Sequence, residues 1–309
     1  MSESGSIVAE TAARIFADLA DPQEVNSAKD TAWKGRLWHA LAESGLTLAW
    51  VPEANGGVGA ELTDGFAILG VAGRYAAAVP LAETLLAGWL LSRAGLNAPN
   101  SAMSVALVET AGCRLSEGMS LASEPSNTVT FDRVKPIAIA AAPKGLDQTA
   151  LMLMGCTVRS VETAGALQAI LDMTVRYSNE RVAFERPIAK FQAVQHSLAR
   201  LAGEVSAAMT AAHSAGDAIA RAGTFDDTIF LEATAAKIRS AEAAQEGAAI
   251  AHQVHGAIGF TIEHILHRYS LRALSWRDDF GHESWWAVEL GKMVAARGAD
   301  ELWPLVASR

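Results

Sequence analysis

Three chemically distinct side chains surround a proline in residues 176–196, RYSNERVAFERPIAKFQAVQH. Arg181 carries a permanent positive charge, and its forked donors suit a phosphate group. Phe184 offers a flat apolar wall, and Gln192 adds an amide beyond Pro187. Because residues three apart share one face of a helix, we expect Arg181 and Phe184 to point towards one ligand.

The same side chains also have a structural explanation, and the residues alone leave the choice open. Arg181 could pair with Glu180 or Glu185 at a helix end. Phe184 could belong to the core, where aromatic side chains are common.

Four histidines form two pairs three apart, His252 with His255 and His264 with His267. This spacing on a helix can bind a metal. No carboxylate or cysteine completes a set of ligands, so we expect no metal site.

Composition excludes several classes of partner. The chain has 309 residues, half of them hydrophobic, and a net charge of −9. It has no basic run, so nucleic acid is an unexpected partner.

Its two cysteines form no disulfide or zinc pattern. The segment LAETLLAGWLLSRAGL is too short and too charged for a membrane span, and the polar N-terminus is unlike a secretory signal. We therefore expect a soluble cytoplasmic protein.

Hydrophobic periodicity and punctuation predict a helical, a short β and a second helical region, with boundaries at 1–98, 99–145 and 146–309. The expected helices cover 5–20, 29–44, 62–75, 80–95, 146–184, 190–222, 227–255 and 282–297. The expected strands lie within 103–110 and 127–140, with about four strands at most. The long helices after residue 146 predict an antiparallel four-helix bundle.

Three stretches resemble acyl-CoA dehydrogenases, in the family's order and spacing. The first begins ESGLTLAWVPEANGGVGAE and resembles the N-terminal helical domain of that family. The second, ALQAILDMTVRYSNERVAFERPIAKFQAVQH, resembles the start of the C-terminal helical domain. The third, AHQVHGAIGFTIEHILHRYSLRAL, resembles a stretch in which a Gly-rich turn links two helices.

The resemblance implies a cofactor, flavin adenine dinucleotide (FAD), whose adenosine end reaches into a neighbouring subunit. In the family, an Arg-x-x-Phe segment and a Gln beyond the proline grip that end. These match Arg181, Phe184 and Gln192. A second set of dinucleotide contacts matches Gln253, Gly256, Ala257 and Gly259.

The catalytic base of the family is missing from both of its usual locations. A loop location with Glu-Gly falls on Phe280-Gly281, and a helix location with Glu-Arg falls on Gly155-Cys156. Asp279 is the best candidate if this chain has its own base, although a solvated or salt-bridged carboxylate is the structural alternative.

The middle region is about half as long as the β-barrel of the family. Ser123, Glu124 and Pro125 resemble a Thr-Glu-Pro motif that holds the flavin ring, with a chance match as the alternative. Nothing resembles the second ring-binding segment. We expect a mainly α, acyl-CoA dehydrogenase-like fold with a reduced β segment.

In these losses the chain resembles the small subunits of heterotetrameric acyl-CoA dehydrogenases that act on steroid side chains, because those subunits show the same truncation. The resemblance implies a homologous partner subunit, a shared FAD, an acyl-CoA substrate and a hetero- or homo-oligomer. Two alternatives stay open: a self-sufficient dehydrogenase that uses Asp279, and a flavin-free scaffold or acyl-CoA-binding subunit.

Overall fold

The computed structural model describes residues 3–94 and 104–307, and it is mainly helical. The N-terminal helices are α1 (Glu3–Leu19), α2 (Pro22–Ser27), α3 (Ala32–Glu43), α4 (Leu62–Arg74) and α5 (Leu81–Ala94). The periodicity does not predict α2, because six residues are too few to show it. This short helix begins at Asp21, whose carboxylate accepts hydrogen bonds from the backbone N–H groups of Gln23 and Glu24.

Four short strands follow in the middle of the chain. They are β1 (Ser104–Leu107), β2 (Arg114–Ser116), β3 (Thr128–Thr130) and β4 (Ala138–Ala141). They form two separate antiparallel pairs, β1 with β4 and β2 with β3. The expected small β segment is confirmed, and the described residues form no barrel. The predicted boundary between residues 98 and 99 lies outside the described residues.

The C-terminal half contains six α-helices within residues 146–307. They are α6 (Gln148–Glu180), α7 (Gln192–Ala222), α8 (Asp227–His255), α9 (Leu266–Trp276), α10 (Glu283–Arg297) and α11 (Leu302–Ala307). The start of α8 is fixed by Asp226, which accepts hydrogen bonds from two backbone N–H groups. Its end is fixed by Gly256, whose φ of 66° departs from the helix.

The long helices alternate in direction. In α7 and α8, Arg200 pairs with Glu246 and Glu204 with Arg239, so these two helices are antiparallel. In α6 and α8, the Ser160 and Ser240 hydroxyls lie 3.1 Å apart and the Tyr177 ring stacks on His255, so these two are parallel. The end of α6, the start of α7 and the end of α8 therefore lie at one end of the bundle.

The fourth helix of the bundle is α9, which the periodicity analysis omits. It packs against α6 and α8, whereas α10 packs against α8. Its buried face consists of Leu266, Tyr269, Ala273 and Trp276 at helical spacing. Helix α9 is only 11 residues long, and polar residues interrupt its apolar face, so its periodicity is weak. The resemblance, however, implies a helix after the Gly-rich turn.

The N-terminal helices share a core with α6. Phe16, Leu69 and Val158 belong to one cluster of buried side chains. The backbones of α4 and α6 approach so closely that a Cβ on Gly165 would lie 2.1 Å from the carbonyl oxygen of Gly70. The two helical regions therefore pack directly against each other.

Two kinds of feature are absent from residues 3–94 and 104–307. Within them, no helix combines the length and the apolar character needed to cross a bilayer. In the same ranges, no group of three His, Cys, Asp or Glu side chains is arranged to hold a metal ion.

Candidate functional site

Helix α6 begins at Gln148 and ends at Glu180, so the expected helix over 146–184 extends four residues too far at its C-terminal end. Arg181 has extended backbone, and its N–H donates to the carbonyl oxygen of Tyr177 at 2.8 Å. The expectation that Arg181 and Phe184 share a helix face is therefore wrong. Both residues instead belong to a turn that leads from α6 towards α7.

That turn is a β-hairpin with a two-residue loop. Strand β5 (Val182–Ala183) pairs with β6 (Arg186–Pro187), and Phe184 and Glu185 connect them. Both connecting residues have positive φ, 51° and 64°, as a tight hairpin turn of the I′ type requires. Asn and Gly usually occupy such positions, and other residues there cost roughly 1–3 kcal/mol each. Backbone strain of this kind is often found at functional sites.

The hairpin leaves its candidate ligand-binding side chains open. Phe184 is 88% exposed and lies edge-on to Phe191, with 6.1 Å between ring centroids. The guanidinium of Arg186 covers Phe191 at 4.3 Å. Arg181 is exposed and forms no ion pair with any carboxylate in the described ranges. The structural alternatives, a paired Arg181 and a core Phe184, are thus not found.

The second predicted set lies where α8 ends. Gln253, Gly256 and Ala257 line an open groove of about 550 Å³ along α8 and α9. Gly259 is buried below, where a Cβ would meet the Cβ of His255 at 3.0 Å. Small residues thus let the backbone come close to whatever fills the groove.

The two sets belong to the same end of the bundle. The Tyr177 ring, one helical turn before Arg181, stacks on His255 with centroids 4.4 Å apart. Its hydroxyl also donates to the His255 carbonyl oxygen at 3.2 Å. His255 directly precedes Gly256, and Gln192 is the first residue of α7 at this end.

Sequence reasoning overlooked an aromatic pair on the wall of this groove. Phe260 is 72% exposed, and its ring stacks on His252 with centroids 4.4 Å apart and planes at 26°. Both side chains line the groove. His252 was considered only as a metal ligand, whereas its Nε2 lies 2.9 Å from the Ser270 hydroxyl. An aromatic residue directly after the Gly-rich turn was the available signal.

The two positions assigned to a catalytic base meet in space. A Cβ on Gly155 would lie 2.2 Å from Cδ1 of Phe280, so the Phe280 ring fills the space beside α6. The Phe280 carbonyl oxygen accepts a hydrogen bond from the indole of Trp286 at 2.9 Å.

Asp279 is held in an ion cluster centred on a buried arginine. The guanidinium of Arg159 donates to Asp279 at 2.8 Å, to Glu162 at 2.6 Å and to Glu83 at 2.5 Å. These acids come from the loop after α9, from α6 and from α5. The Asp279 side chain is thus engaged with a counter-ion.

Burial affects the protonation of Glu162. Removal from water raises the pKa of Glu162 to about 7; the charges of Glu83 and Asp279 also raise it, whereas Arg159 lowers it. Nearby, burial lowers the pKa of Lys237 to about 8. The ammonium of Lys237 donates to the carbonyl oxygens of Trp276 and Asp279, each at 2.8 Å.

The segment Ser123-Glu124-Pro125 attaches the middle region to the bundle. The Arg272 guanidinium, on α9 and buried, donates to the Glu124 carboxylate at 2.7 Å. Ser123 adopts a φ of 58°, which shapes the turn that presents Glu124. This contact gives Glu124 a role in positioning the β segment.

The fold, with helices on both sides of a small β segment and a glycine-lined groove at one bundle end, is that of the acyl-CoA dehydrogenases. Residues 146–278 match the family described as "Acyl-CoA dehydrogenase, C-terminal domain". Residues 146–278 therefore form a C-terminal domain of the acyl-CoA dehydrogenase type.

One similar protein is acyl-CoA dehydrogenase IpdE2 of Mycolicibacterium smegmatis. It is 29% identical over 303 residues, which cover 88% of this chain and 93% of that protein.

Solved structures of the same fold include one from the ChsE4-ChsE5 complex of Mycobacterium tuberculosis. It is 19% identical, with a TM-score of 0.82, and the match covers 96% of this chain and 98% of that one. The Tcur3481-Tcur3483 steroid acyl-CoA dehydrogenase variant is 23% identical, with a TM-score of 0.81, over 96% and 99% of the two chains. An acyl-CoA dehydrogenase complexed with FAD from Bacillus anthracis is 18% identical, with a TM-score of 0.76, over 99% and 69%.

Proposed function

We propose that this chain is the non-catalytic subunit of a heteromeric acyl-CoA dehydrogenase. It contributes the bundle end with Arg181, Phe184, Gln192, Gln253 and Gly256 to the FAD of a partner chain. The observation that supports this proposal is the Phe280 ring packed against Gly155, because the resemblance assigns the catalytic carboxylate to one of these two positions and neither residue carries one. Without a base close to the acyl α carbon, this chain cannot start the reaction alone.

The residues at the bundle end fit the adenosine and pyrophosphate part of FAD. Arg181 is exposed and unpaired among the described residues, so its charge is available to a phosphate. Gly256 has a φ of 66° in an open groove, which lets backbone approach phosphate oxygens. When bound, the flavin ring would supply the acceptor for the β hydride of an acyl-CoA thioester.

In this proposal, the partner supplies both the pocket for the flavin ring and the catalytic base. The described middle region has two pairs of short strands, each with exposed faces. Asp279, the remaining candidate for a base in this chain, is tied to Arg159 at 2.8 Å. A carboxylate that is held by a guanidinium is not free to approach a substrate carbon, which argues against a self-sufficient enzyme.

The names of the structurally similar proteins support a heteromer and suggest a substrate class. Two of them are named as pairs of gene products, and one of these is called a steroid acyl-CoA dehydrogenase. We therefore propose a homologous acyl-CoA dehydrogenase subunit as the partner and a steroid-derived acyl-CoA thioester as the substrate.

Purification separates the candidate functions. The chain expressed alone should be colourless, and co-expression with an acyl-CoA dehydrogenase encoded next to it should give a yellow complex that bleaches with an acyl-CoA. A yellow chain that bleaches by itself would overturn the proposal in favour of the self-sufficient enzyme. A complex that stays colourless after reconstitution with FAD would favour the scaffold.

The Arg181→Ala variant tests the half-site directly. Loss of a charge-assisted contact to phosphate, worth roughly 1.5–3 kcal/mol, should lower the flavin content of the complex at limiting FAD by about tenfold or more. Assembly, measured by size-exclusion chromatography, should be unchanged. The matched control is Arg36→Ala, which removes an exposed arginine from α3. Equal flavin content in both variants would remove Arg181 from the site.

A further inference from the structure

Strands β2 and β3 extend into one long hairpin. Beyond the paired strands, the N–H of Ser126 donates to the Gly118 carbonyl oxygen and the N–H of Ser120 to the Glu124 carbonyl oxygen, each at 2.8 Å. These hydrogen bonds keep the register that joins β2 to β3. Each residue lies opposite one of the same parity, so odd-numbered side chains occupy one face of the hairpin and even-numbered side chains the other.

The odd face, formed by Leu115, Met119, Val129 and Phe131, is apolar and uncovered. These four side chains are 47%, 66%, 43% and 63% exposed, respectively. Leu115 and Val129 lie directly opposite each other in the ladder, so their side chains are neighbours. Contiguous apolar patches are uncommon on monomeric proteins and mark interaction sites.

The even face is polar and is directed towards the bundle. Between residues 114 and 131, every half-buried position has an even number. Glu124 belongs to this face, and its carboxylate accepts a hydrogen bond at 2.7 Å from the buried Arg272 guanidinium of α9. This arrangement is the reverse of a sheet that covers its own core, because the apolar side chains face water. The cover of the odd face must therefore come from outside the described part of this chain.

The charge on the odd face indicates the kind of partner. Glu117 lies in the middle of this face, opposite Asn127 in the register, and it pairs with no cation among the described residues. Lipid surfaces attract basic segments rather than a carboxylate among apolar side chains. A flat face encloses little of a small molecule. A second copy of this chain would bring another Glu117 instead of a cation.

We propose that the odd face docks against an apolar sheet face of the homologous partner subunit, which places an arginine or lysine opposite Glu117. This inference rests on the proposed function and adds to it a contact surface on the middle region. A two-stranded sheet is marginally stable alone, and a sheet stacked on it at about 10 Å would supply the missing layer. Because Glu124 already anchors the hairpin, docking needs little further ordering.

The variants Phe131→Ser and Glu117→Lys test this surface in the co-expressed complex. Each should weaken binding of the partner subunit by about tenfold or more, the first because it removes an apolar anchor and the second because it opposes like charges. Size-exclusion chromatography over serial dilutions measures the dissociation. The control is Thr128→Ala, which changes an exposed side chain on the even face and should leave the affinity unchanged. Thermal unfolding of the isolated chain should be the same in all three variants.

Hydrogen–deuterium exchange provides an independent measurement. Docking should slow amide exchange within residues 114–131 in the complex relative to the isolated chain. Equally slow exchange in the isolated chain would show that the chain covers its own odd face, which would overturn the inference.

The outcomes separate this inference from the proposed function. If Arg181→Ala lowers flavin content while Phe131→Ser and Glu117→Lys assemble like Thr128→Ala, the proposed function stands and the docking surface is wrong. If the wild-type chain forms no complex with the partner, both fail. An isolated chain whose dimer is lost in Phe131→Ser would assign the odd face to a second copy and overturn the inference. Sedimentation of the chain with phosphatidylcholine vesicles would assign it to lipid and overturn the inference as well.

Discussion

At the scale of single residues, Arg159 decides how charge is distributed beside Phe280. One guanidinium serves three carboxylates, and its side chain is only 10% exposed. A buried cation with several partners is expensive to remove, because each acid would lose its counter-charge. The cluster joins α5, α6 and the loop before α10. It therefore also fixes the backbone that leads into Phe280.

Glu162 should make stability depend on pH in a defined window. Its folded pKa of about 7 lies above the ordinary value of 4.5, so the folded protein holds a proton that the unfolded chain releases. That contribution is present in full below pH 4.5 and is lost as pH rises through 7. Relative to Glu162→Gln, wild-type stability should therefore fall between pH 4.5 and 7 by on the order of 3 kcal/mol.

Urea unfolding of both proteins at several pH values measures this difference. The amide can still accept from Arg159, so geometry is retained while the titration is removed. Glu246→Gln is the control, because it changes a carboxylate that pairs with Arg200 at the surface. A difference between wild type and Glu162→Gln that does not vary with pH would contradict the assigned burial of the Glu162 carboxyl.

At the scale of elements, prediction succeeded where local signals were strong. The expected helix over 227–255 matches α8, because an Asp cap begins it and Gly256 ends it. The sequence did not predict the hairpin after α6, because Phe184 and Glu185 carry no turn signature, although both adopt positive φ. Helical periodicity also continues through β5, so only the tertiary structure could show where α6 stops.

Two glycines within long helices should respond oppositely to alanine. A Cβ at Gly155 would clash with the Phe280 ring at 2.2 Å, so Gly155→Ala should destabilise the protein by roughly 1–3 kcal/mol. Within the described part of the chain, no atom outside the helix lies within 4 Å of a Cβ added at Gly203 on α7, so Gly203→Ala should stabilise by roughly 0.5–1 kcal/mol.

Thermal unfolding of the single variants and of Gly155→Ala with Phe280→Leu completes this test. The smaller side chain should recover part of the loss caused by Gly155→Ala, which gives a favourable coupling free energy. Additive effects in the double variant would show that Phe280 does not fill the space beside Gly155.

At the scale of the whole molecule, the sequence allowed the fold class to be predicted but not the site's geometry. The family resemblance named Arg181, Phe184 and Gln253 individually, and their roles stay predictions. It could not reveal that Phe260 stacks on His252, since this contact depends on how α8, the turn and α9 pack. Nor could it show that Phe280 meets Gly155, since 125 positions separate them in the chain.

The proposed division of labour predicts a flavin ratio for the assembled complex. If each half-site of this chain completes one FAD of a partner, the complex should contain one flavin per copy of this chain. Flavin absorbance against quantitative amino-acid analysis of the separated subunits measures the ratio. Two flavins per copy would show that FAD also binds at sites that this chain does not complete.

The contact between the Phe280 ring and Gly155 also bears on what a substitution at position 280 could achieve. A glutamate at position 280 would enter a neighbourhood where Glu83, Glu162 and Asp279 already share Arg159. A fourth carboxylate beside one guanidinium is unfavourable, so under the proposed function a single substitution at position 280 would be insufficient to supply an ionised base.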